Sequence, residues 1–452
     1  MDRRFITHDV CGKGGTGAAA FEGQQVLVVS MTRQTLTQDL MQIVCSRSNL
    51  NRAYKRVKSN KGAPGVDGMS VDELSAYIRE HKVKIVSSLL DGTYKPNTVR
   101  GVAIPKAKGG TRQLGIPTVL DRLVQQAIHQ VLEPIFEPRF SESSYGFRPK
   151  RSAHKALKAA SVYVASGKDW VVDIDLAKYF DQVNHDILMS RLARVIGDKI
   201  LLKLIRKFLQ AGMMSNGVVV SRQAGTPQGG PLSPLLSNIM LDELDKELER
   251  RGHTFCRYAD DFNIYVGSEK AGHRVMQSVK QFLATKLKLQ INETKSAVAK
   301  VGERQFLGYR IQGNGQLSVS PDSIKRMKDK VRELTKRNRG RSLGVIIQSL
   351  NRYLPGWFQY FQLQKGVKLF ERTDQWIRRR LRCYRLKQCK RRWPTAKYLM
   401  SLGISKKNAW RLAMSNKSWW RKSHNPIINA ALSNEWLNNM GLVSLLDKAN
   451  QR

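Results

Sequence analysis

Two adjacent carboxylates, Asp260 and Asp261, follow Tyr258 and Ala259 between two short apolar runs, Thr254–Tyr258 and Phe262–Val266. Like charges side by side repel unless water solvates both or a cation sits between them. A solvated Asp-Asp turn is the ordinary explanation of such a pair. Here Phe255, Tyr258, Phe262 and Ile264 flank it, which would fix the pair at the edge of a core. A third carboxylate, Asp175, closes the β-branched run Asp169–Leu176. Three carboxylates on neighbouring strand ends suit two Mg²⁺ ions about 3.5–4 Å apart, one activating a hydroxyl nucleophile and the other holding leaving phosphates. Asp173 would project to the same strand face as Asp175 and is its rival for that role.

The elements that must hold these groups are short strands alternating with helices from about residue 70 to 320, an α+β pattern. Thr254–Tyr258 and Phe262–Val266 read as a hairpin. Helical spacing runs over Ile187–Leu209, and Pro231–Arg251 reads as a helix with Leu241, Leu244 and Leu248 on one stripe and Gly252 as its stop. An apolar periodicity over 37–58 predicts one or two helices, broken by the loop Lys61–Gly68. Past Pro321 the pattern becomes helical throughout. Ile324, Met327, Val331 and Leu334 mark one amphipathic helix, and Leu343, Ile346, Ile347, Leu350 and Leu354 a second.

Charge narrows the partners. The 452 residues carry 78 Lys and Arg against 36 Asp and Glu, a formal +42, which calls for a polyanion. From residue 322 on there are 31 basic and 7 acidic residues, and none of the acids falls between Gln375 and Asn434, where Trp376, Trp393, Trp410, Trp419 and Trp420 sit among the cations. Structured RNA, read through phosphates and exposed bases, suits such a face. Basic residues spread over the whole chain argue against a membrane surface, and no apolar run nears the 18 residues of a spanning helix. Five scattered cysteines and no secretory signal predict a reducing, cytoplasmic setting. Gly12–Gly17 lacks the Gly-Lys-Ser/Thr ending of a phosphate loop, so residues 1–36 are expected to be a flexible leader.

Six segments together resemble one family. Tyr258-Ala259-Asp260-Asp261 is similar to the Y-x-D-D motif of reverse transcriptases, in the form usual in bacterial group II intron proteins. The run from Asp175 to Asp181 resembles that family's first catalytic motif, and Gly225-Thr226-Pro227-Gln228-Gly229-Gly230-Pro231-Leu232-Ser233-Pro234 its T-P-Q-G-x-x-x-S-P segment. Asn292-Glu293-Thr294-Lys295-Ser296 and Phe306-Leu307-Gly308-Tyr309 resemble its later N-x-x-K-S/T and F-L-G-Y motifs, and Lys61–Gly68 its extra N-terminal loop. The basic helical segment with Tyr353-Leu354-Pro355-Gly356-Trp357 resembles the thumb, or maturase, domain.

The resemblance implies a right-hand polymerase: a leader over 1–36, an N-terminal extension over 37–100, fingers and palm over 101–320, a thumb/maturase domain over 321–400 and a basic nucleic-acid-binding tail over 401–452. It implies an RNA-directed DNA polymerase using two Mg²⁺ ions, deoxynucleoside triphosphates, an RNA template and a DNA primer or target, which also binds its intron RNA for splicing and retrohoming. Asp175, Asp260 and Asp261 would hold the metals, with the carbonyl of Leu176 as a further ligand. Asp175 is favoured over Asp173 because Phe180 then falls where the family places the aromatic ring that rejects a 2′-hydroxyl. Lys106 and Arg112 would clamp the triphosphate, Gln228 would contact the nucleotide, and Lys295 would be a general acid for the pyrophosphate leaving group. The chain resembles the short type lacking an H-N-H endonuclease domain. A domesticated reverse transcriptase of repair or phage defence, and a splicing-only maturase, remain as alternatives.

Overall fold

The computed structural model describes residues 37–105, 110–215, 218–220, 224–226, 229–338 and 340–452. The leader expected over 1–36, Lys106 and Gln228 lie outside the described residues, as does the side chain of Arg112. Among the described residues the strands are β1 (Val99–Pro105), β2 (Thr111–Ile116), β3 (Trp170–Asp175), β4 (Met213–Ser215), β5 (Val218–Val220), β6 (Thr254–Tyr258), β7 (Asp261–Val266), β8 (Ala297–Lys300), β9 (Tyr309–Ile311) and β10 (Leu317–Val319). They form three sheets, ordered β2-β1-β4-β5, β6-β7-β3-β8 and β10-β9. The chain is α+β, and it divides into two compact units, each assembled from separate stretches.

The first unit comprises 37–142, Leu176–Glu247 and Lys280–Ile291. Its sheet is β2-β1-β4-β5, with Arg112 in β2 opposite Ile104. The helix Val119–Phe136 starts where Thr118 Oγ1 accepts from Asp121 N at 3.1 Å and donates to Asp121 Oδ2 at 2.7 Å, a reciprocal cap legible in the Thr-x-x-Asp spacing. The stretch expected to be helical over Ile187–Leu209 is two helices, His185–Ala193 and Lys199–Gln210. The break falls at Gly197-Asp198, because Asp198 Oδ1 accepts from Ile200 N and Leu201 N, both at 2.9 Å, and so caps a new helix. The helix Ser233–Arg250, whose last residues from Leu248 on belong to the second unit, has Leu241, Leu244 and Leu248 buried.

The second unit comprises Ser143–Asp175, Leu248–Val279 and Asn292–Arg452. Its sheet β6-β7-β3-β8 is covered by the helix Ala153–Ala165, whose Ala156, Leu157, Ala160 and Val164 pack with Val171, Cys256 and Tyr265. The same hydrophobic core runs on without a break into the helices Pro321–Leu334, Leu343–Phe361 and Lys368–Gln388 through Met327, Val331, Ile347, Leu350, Leu354 and Phe370. Met327 and Val331 in the first helix, and Leu343, Ile346, Ile347, Leu350 and Leu354 in the second, are buried members of the two stripes that the sequence spacing predicts. Chain-terminal residues fold back onto this core: Leu437, Leu442 and Leu445 join it. Asp374 secures them by accepting from Ser444 Oγ at 3.0 Å, Leu445 N at 3.1 Å and Leu446 N at 3.0 Å. No described helix is long and apolar enough to cross a membrane.

Candidate active site

Asp261 opens β7 instead of sitting in the turn. It pairs with Tyr258 on β6 and, on its other side, with Asp175 on β3. The turn is therefore only Ala259 and Asp260. Ala259 has φ +59°, a left-handed conformation that costs an L-residue about 1–2 kcal/mol and persists where the surroundings enforce it.

Several groups enforce it. The fully buried Arg257 donates from Nη1 to Ala259 O at 3.2 Å, and its guanidinium lies 5.7 Å from the Phe262 ring centroid. The segment Ser143–Tyr145 clips onto β6: Tyr145 N donates to Arg257 O at 2.8 Å and Arg257 N to Ser143 O at 2.9 Å. Gly146 then passes so close that a Cβ there would lie 2.3 Å from Ala259 N, which only glycine permits. Phe147, next in the chain, has φ +57°, is 55% exposed, and holds its ring centroid 6.5 Å from that of Tyr258.

Around this hairpin the carboxylates are arranged in two cross-strand rows. Asp175 faces Asp261, and Asp173, on the same face of β3, faces Asn263. The two β3 carboxylates have different partners. Asp173 Oδ2 is bound by Arg304, from Nε at 2.8 Å and from Nη2 at 2.6 Å. Asp175 Oδ2 is met by Lys295 Nζ at 2.9 Å. The loop bearing Lys295 is tied to the end of β3, with Asn292 N donating to Asp175 O at 2.8 Å and Asp175 N to Ser296 Oγ at 2.9 Å.

Among the described residues no cation pairs with Asp261. Burial of its carboxyl, then the charges of Asp173, Asp260 and Asp175, push its pKa from 3.8 up to about 8, with Arg304 acting against the shift. Burial also raises Asp173, against the lowering effect of its Arg304 hydrogen bond and charge. A carboxyl held neutral by burial and by its carboxylate neighbours is relieved by a divalent cation, and the donors here are all hard oxygens of the kind Mg²⁺ or Mn²⁺ takes. The donors are present without a finished cage: among the described residues no group of three or more His, Cys, Asp or Glu side chains is arranged to hold a metal ion, and Asp175 is engaged by Lys295.

In the first unit, Leu176 is buried and bridges to Ile291, and Phe180 lies in the short helix Tyr179–Gln182, its ring edge-on to Tyr179 at 5.2 Å between centroids. The Gly225-Thr226 segment packs on the Phe180 backbone, Thr226 N donating to Phe180 O at 2.7 Å. Two motifs far apart in sequence thus meet at Phe180.

Sequence reading did not single out Arg257, Arg304, Gly146 or Phe147. Arg304 sits two residues before Phe306, with nothing in its spacing to separate it from the other cations of a strongly basic chain. Gly146 carried the one available signal, a glycine between two aromatics. In the basic helical region only Trp393, of the five tryptophans noted above, is exposed, at 60%, with Lys397 Nζ 5.2 Å from its ring centroid. Trp376 lies among Lys328, Arg332 and Arg380 at 5.8, 5.7 and 5.3 Å, and Arg379 stacks over Trp420 at 4.0 Å.

Residues 104–311 match the reverse transcriptase (RNA-dependent DNA polymerase) family, and residues 324–401 match the group II intron maturase-specific domain. The chain is 35% identical to protein YkfC of Escherichia coli (strain K12), over 61% of this chain and 83% of that one. It is 34% identical to the group II intron-encoded protein LtrA of Lactococcus lactis subsp. cremoris, over 61% of this chain and 57% of LtrA. Among solved structures, a chain of the "Partial Cas6-RT-Cas1--Cas2 complex" aligns at 25% identity with a TM-score of 0.36, over 55% of this chain and 43% of that one. The chain belongs to the reverse transcriptase family. It is an RNA-directed DNA polymerase joined to a group II intron maturase domain, a nucleic-acid-binding enzyme of a family that works with divalent metal ions.

Proposed function

We propose that the chain copies RNA into DNA at the carboxylates of β3 and the β6–β7 hairpin with two Mg²⁺ ions, and that its helical region from 321 on binds intron RNA for splicing and for insertion at a DNA target. The observation that carries this reading is the opposition of Asp175 and Asp261 across the ladder, beside Asp260, with Asp261 pushed up to about 8. Asp175, Asp260 and Asp261 would hold the metals, with the Leu176 carbonyl as a further ligand. Held there, the ions would supply Lewis acidity toward the attacking 3′-hydroxyl and positive charge for the leaving phosphates.

The chain's own groups do the rest. Lys295, whose amine already reaches Asp175, donates the proton to departing pyrophosphate as general acid. Phe180 underlies the incoming sugar and rejects a 2′-hydroxyl. Lys106 and Arg112 bind the triphosphate of the deoxynucleotide, Arg112 by its fork and Lys106 as a point charge, and Gln228 contacts the nucleotide. Residues 321–400 act as thumb and maturase and 401–452 as a further RNA-binding surface, in the cytoplasm.

The test is primer extension on an RNA template with Mg²⁺ and deoxynucleotides, wild type beside Asp260→Ala. DNA product from the wild type alone, with RNA affinity of the variant within about threefold because the basic surface is untouched, supports the assignment. A folded, RNA-binding wild type that makes no product overturns it in favour of a splicing cofactor.

A further inference from the structure

Arg304 has no role in the proposed chemistry, yet among the described residues its guanidinium is the cation paired with Asp173. It follows a single turn, Val301–Glu303, pinned to the start of β3 by Val301 N donating to Asp169 O at 2.9 Å. From that anchor Nε and Nη2 both reach Asp173 Oδ2, at 2.8 and 2.6 Å, and Nη2 also donates to the main-chain oxygen of Lys295. Asp173 and Asp175 share one face of β3, so an unengaged Asp173 would add a fourth carboxylate beside Asp175, Asp260 and Asp261. Lys295 in turn is the residue whose amine meets Asp175.

We infer that Arg304 is a positioning residue with two linked tasks: it withholds Asp173 from the metal-binding carboxylates, and it fixes the backbone of Lys295 so that the amine is delivered to Asp175. The inference rests on the reading that Asp175, Asp260 and Asp261 carry two-metal nucleotidyl transfer. A planar guanidinium fork serves a carboxylate and a carbonyl together; a lysine ammonium on a flexible stem reaches one of them. Asp173 is thereby a charged residue of the sheet that looks like a ligand in sequence and is spoken for in the fold.

The experiment compares wild type, Arg304→Gln, Arg304→Lys and the double variant Arg304→Gln/Asp173→Asn in primer extension, reading kcat, KM for deoxynucleotide and the Mg²⁺ activation midpoint, with Tm and RNA affinity measured alongside. Arg304→Gln is expected to lower kcat roughly ten- to a hundredfold and to move the Mg²⁺ midpoint, with KM and RNA affinity within about twofold. The double variant returns the midpoint to the wild-type value, since no unpaired carboxylate remains, while kcat stays low because the main-chain oxygen of Lys295 still lacks its guanidinium partner. Arg304→Lys likewise restores the midpoint and not kcat. Wild-type kcat and midpoint in Arg304→Gln overturn the inference, as does recovery of kcat in the double variant, or a loss in every variant that merely tracks Tm. A wild type without Mg²⁺-dependent product overturns the underlying reading instead, and is distinguishable because the Arg304 variants then have nothing to differ from.

Discussion

Asp175 and Asp261 stand directly opposite one another in the antiparallel ladder between β3 and β7, so the sheet places like-charged groups at a position where strands ordinarily pair attractive side chains. The fold tolerates this by leaving Asp261 protonated near neutral pH and by setting Lys295 on Asp175. Without a cation beside it, such a pair of carboxyls costs the fold stability.

Replacing Asp261 with Asn should therefore stabilise the metal-free protein while abolishing DNA synthesis. At neutral pH the folded chain must hold a proton on Asp261 that the unfolded chain has released, a cost that Asn does not carry, so Tm should rise without metal. Differential scanning calorimetry in chelator, paired with primer extension, checks both halves. A fall in Tm would mean that the Asp261 carboxyl makes a stabilising contact in the metal-free fold.

The pH dependence follows from the same group. Its pKa is 3.8 when unperturbed and about 8 in the folded chain, so between those values the native state holds a proton that the unfolded state has released. Stability contributed by Asp261 is thus present below about pH 4 and is lost as pH rises to about 8. The difference between wild-type and Asp261→Asn melting curves across that range isolates it from other groups. Mg²⁺ competes with the proton, so the Tm gained on adding Mg²⁺ should be larger near about pH 8.5 than near about pH 6.5.

Gly146 is the cheapest way to disturb the turn without touching a carboxylate. A methyl group there would lie 2.3 Å from Ala259 N, against backbone that must move. Gly146→Ala should cost about 1–3 kcal/mol of stability and reduce DNA synthesis far more than RNA affinity. Equal loss of both would locate the damage in the fold at large and not at the hairpin.

Trp393 and Trp357 separate surface from core within the helical region. Trp393 is 60% exposed, and Trp357, at 8%, packs inside the core shared with β6, β7 and the helix Ala153–Ala165. Trp393→Ala should leave Tm unchanged and weaken RNA binding by about 1–3 kcal/mol, the worth of a base stacked on an aromatic ring. Trp357→Ala should cost about 3–5 kcal/mol of stability. RNA affinity by filter binding and Tm by fluorescence give the two readings for each variant.

By itself the sequence determined the strand that carries Asp173 and Asp175, the hairpin around Asp260 and the two amphipathic helices past Pro321, because each is written in a local period that neighbouring residues repeat. It also determined which residue types could hold metal, through motifs whose letters sit within a few positions of one another. The tertiary structure decided the rest. Asp261 lies in a strand and not in the turn because its ladder partners are Tyr258 and Asp175. Asp173 is set apart from Asp175 by their different partners, Arg304, 131 residues from Asp173, and Lys295 on Asp175, and Gly146 meets Ala259 because the segment Ser143–Tyr145 clips onto β6. Such contacts join chain segments whose spacing carries no periodic trace, and they exist only once the sheet has paired and its helices have closed the core beneath it.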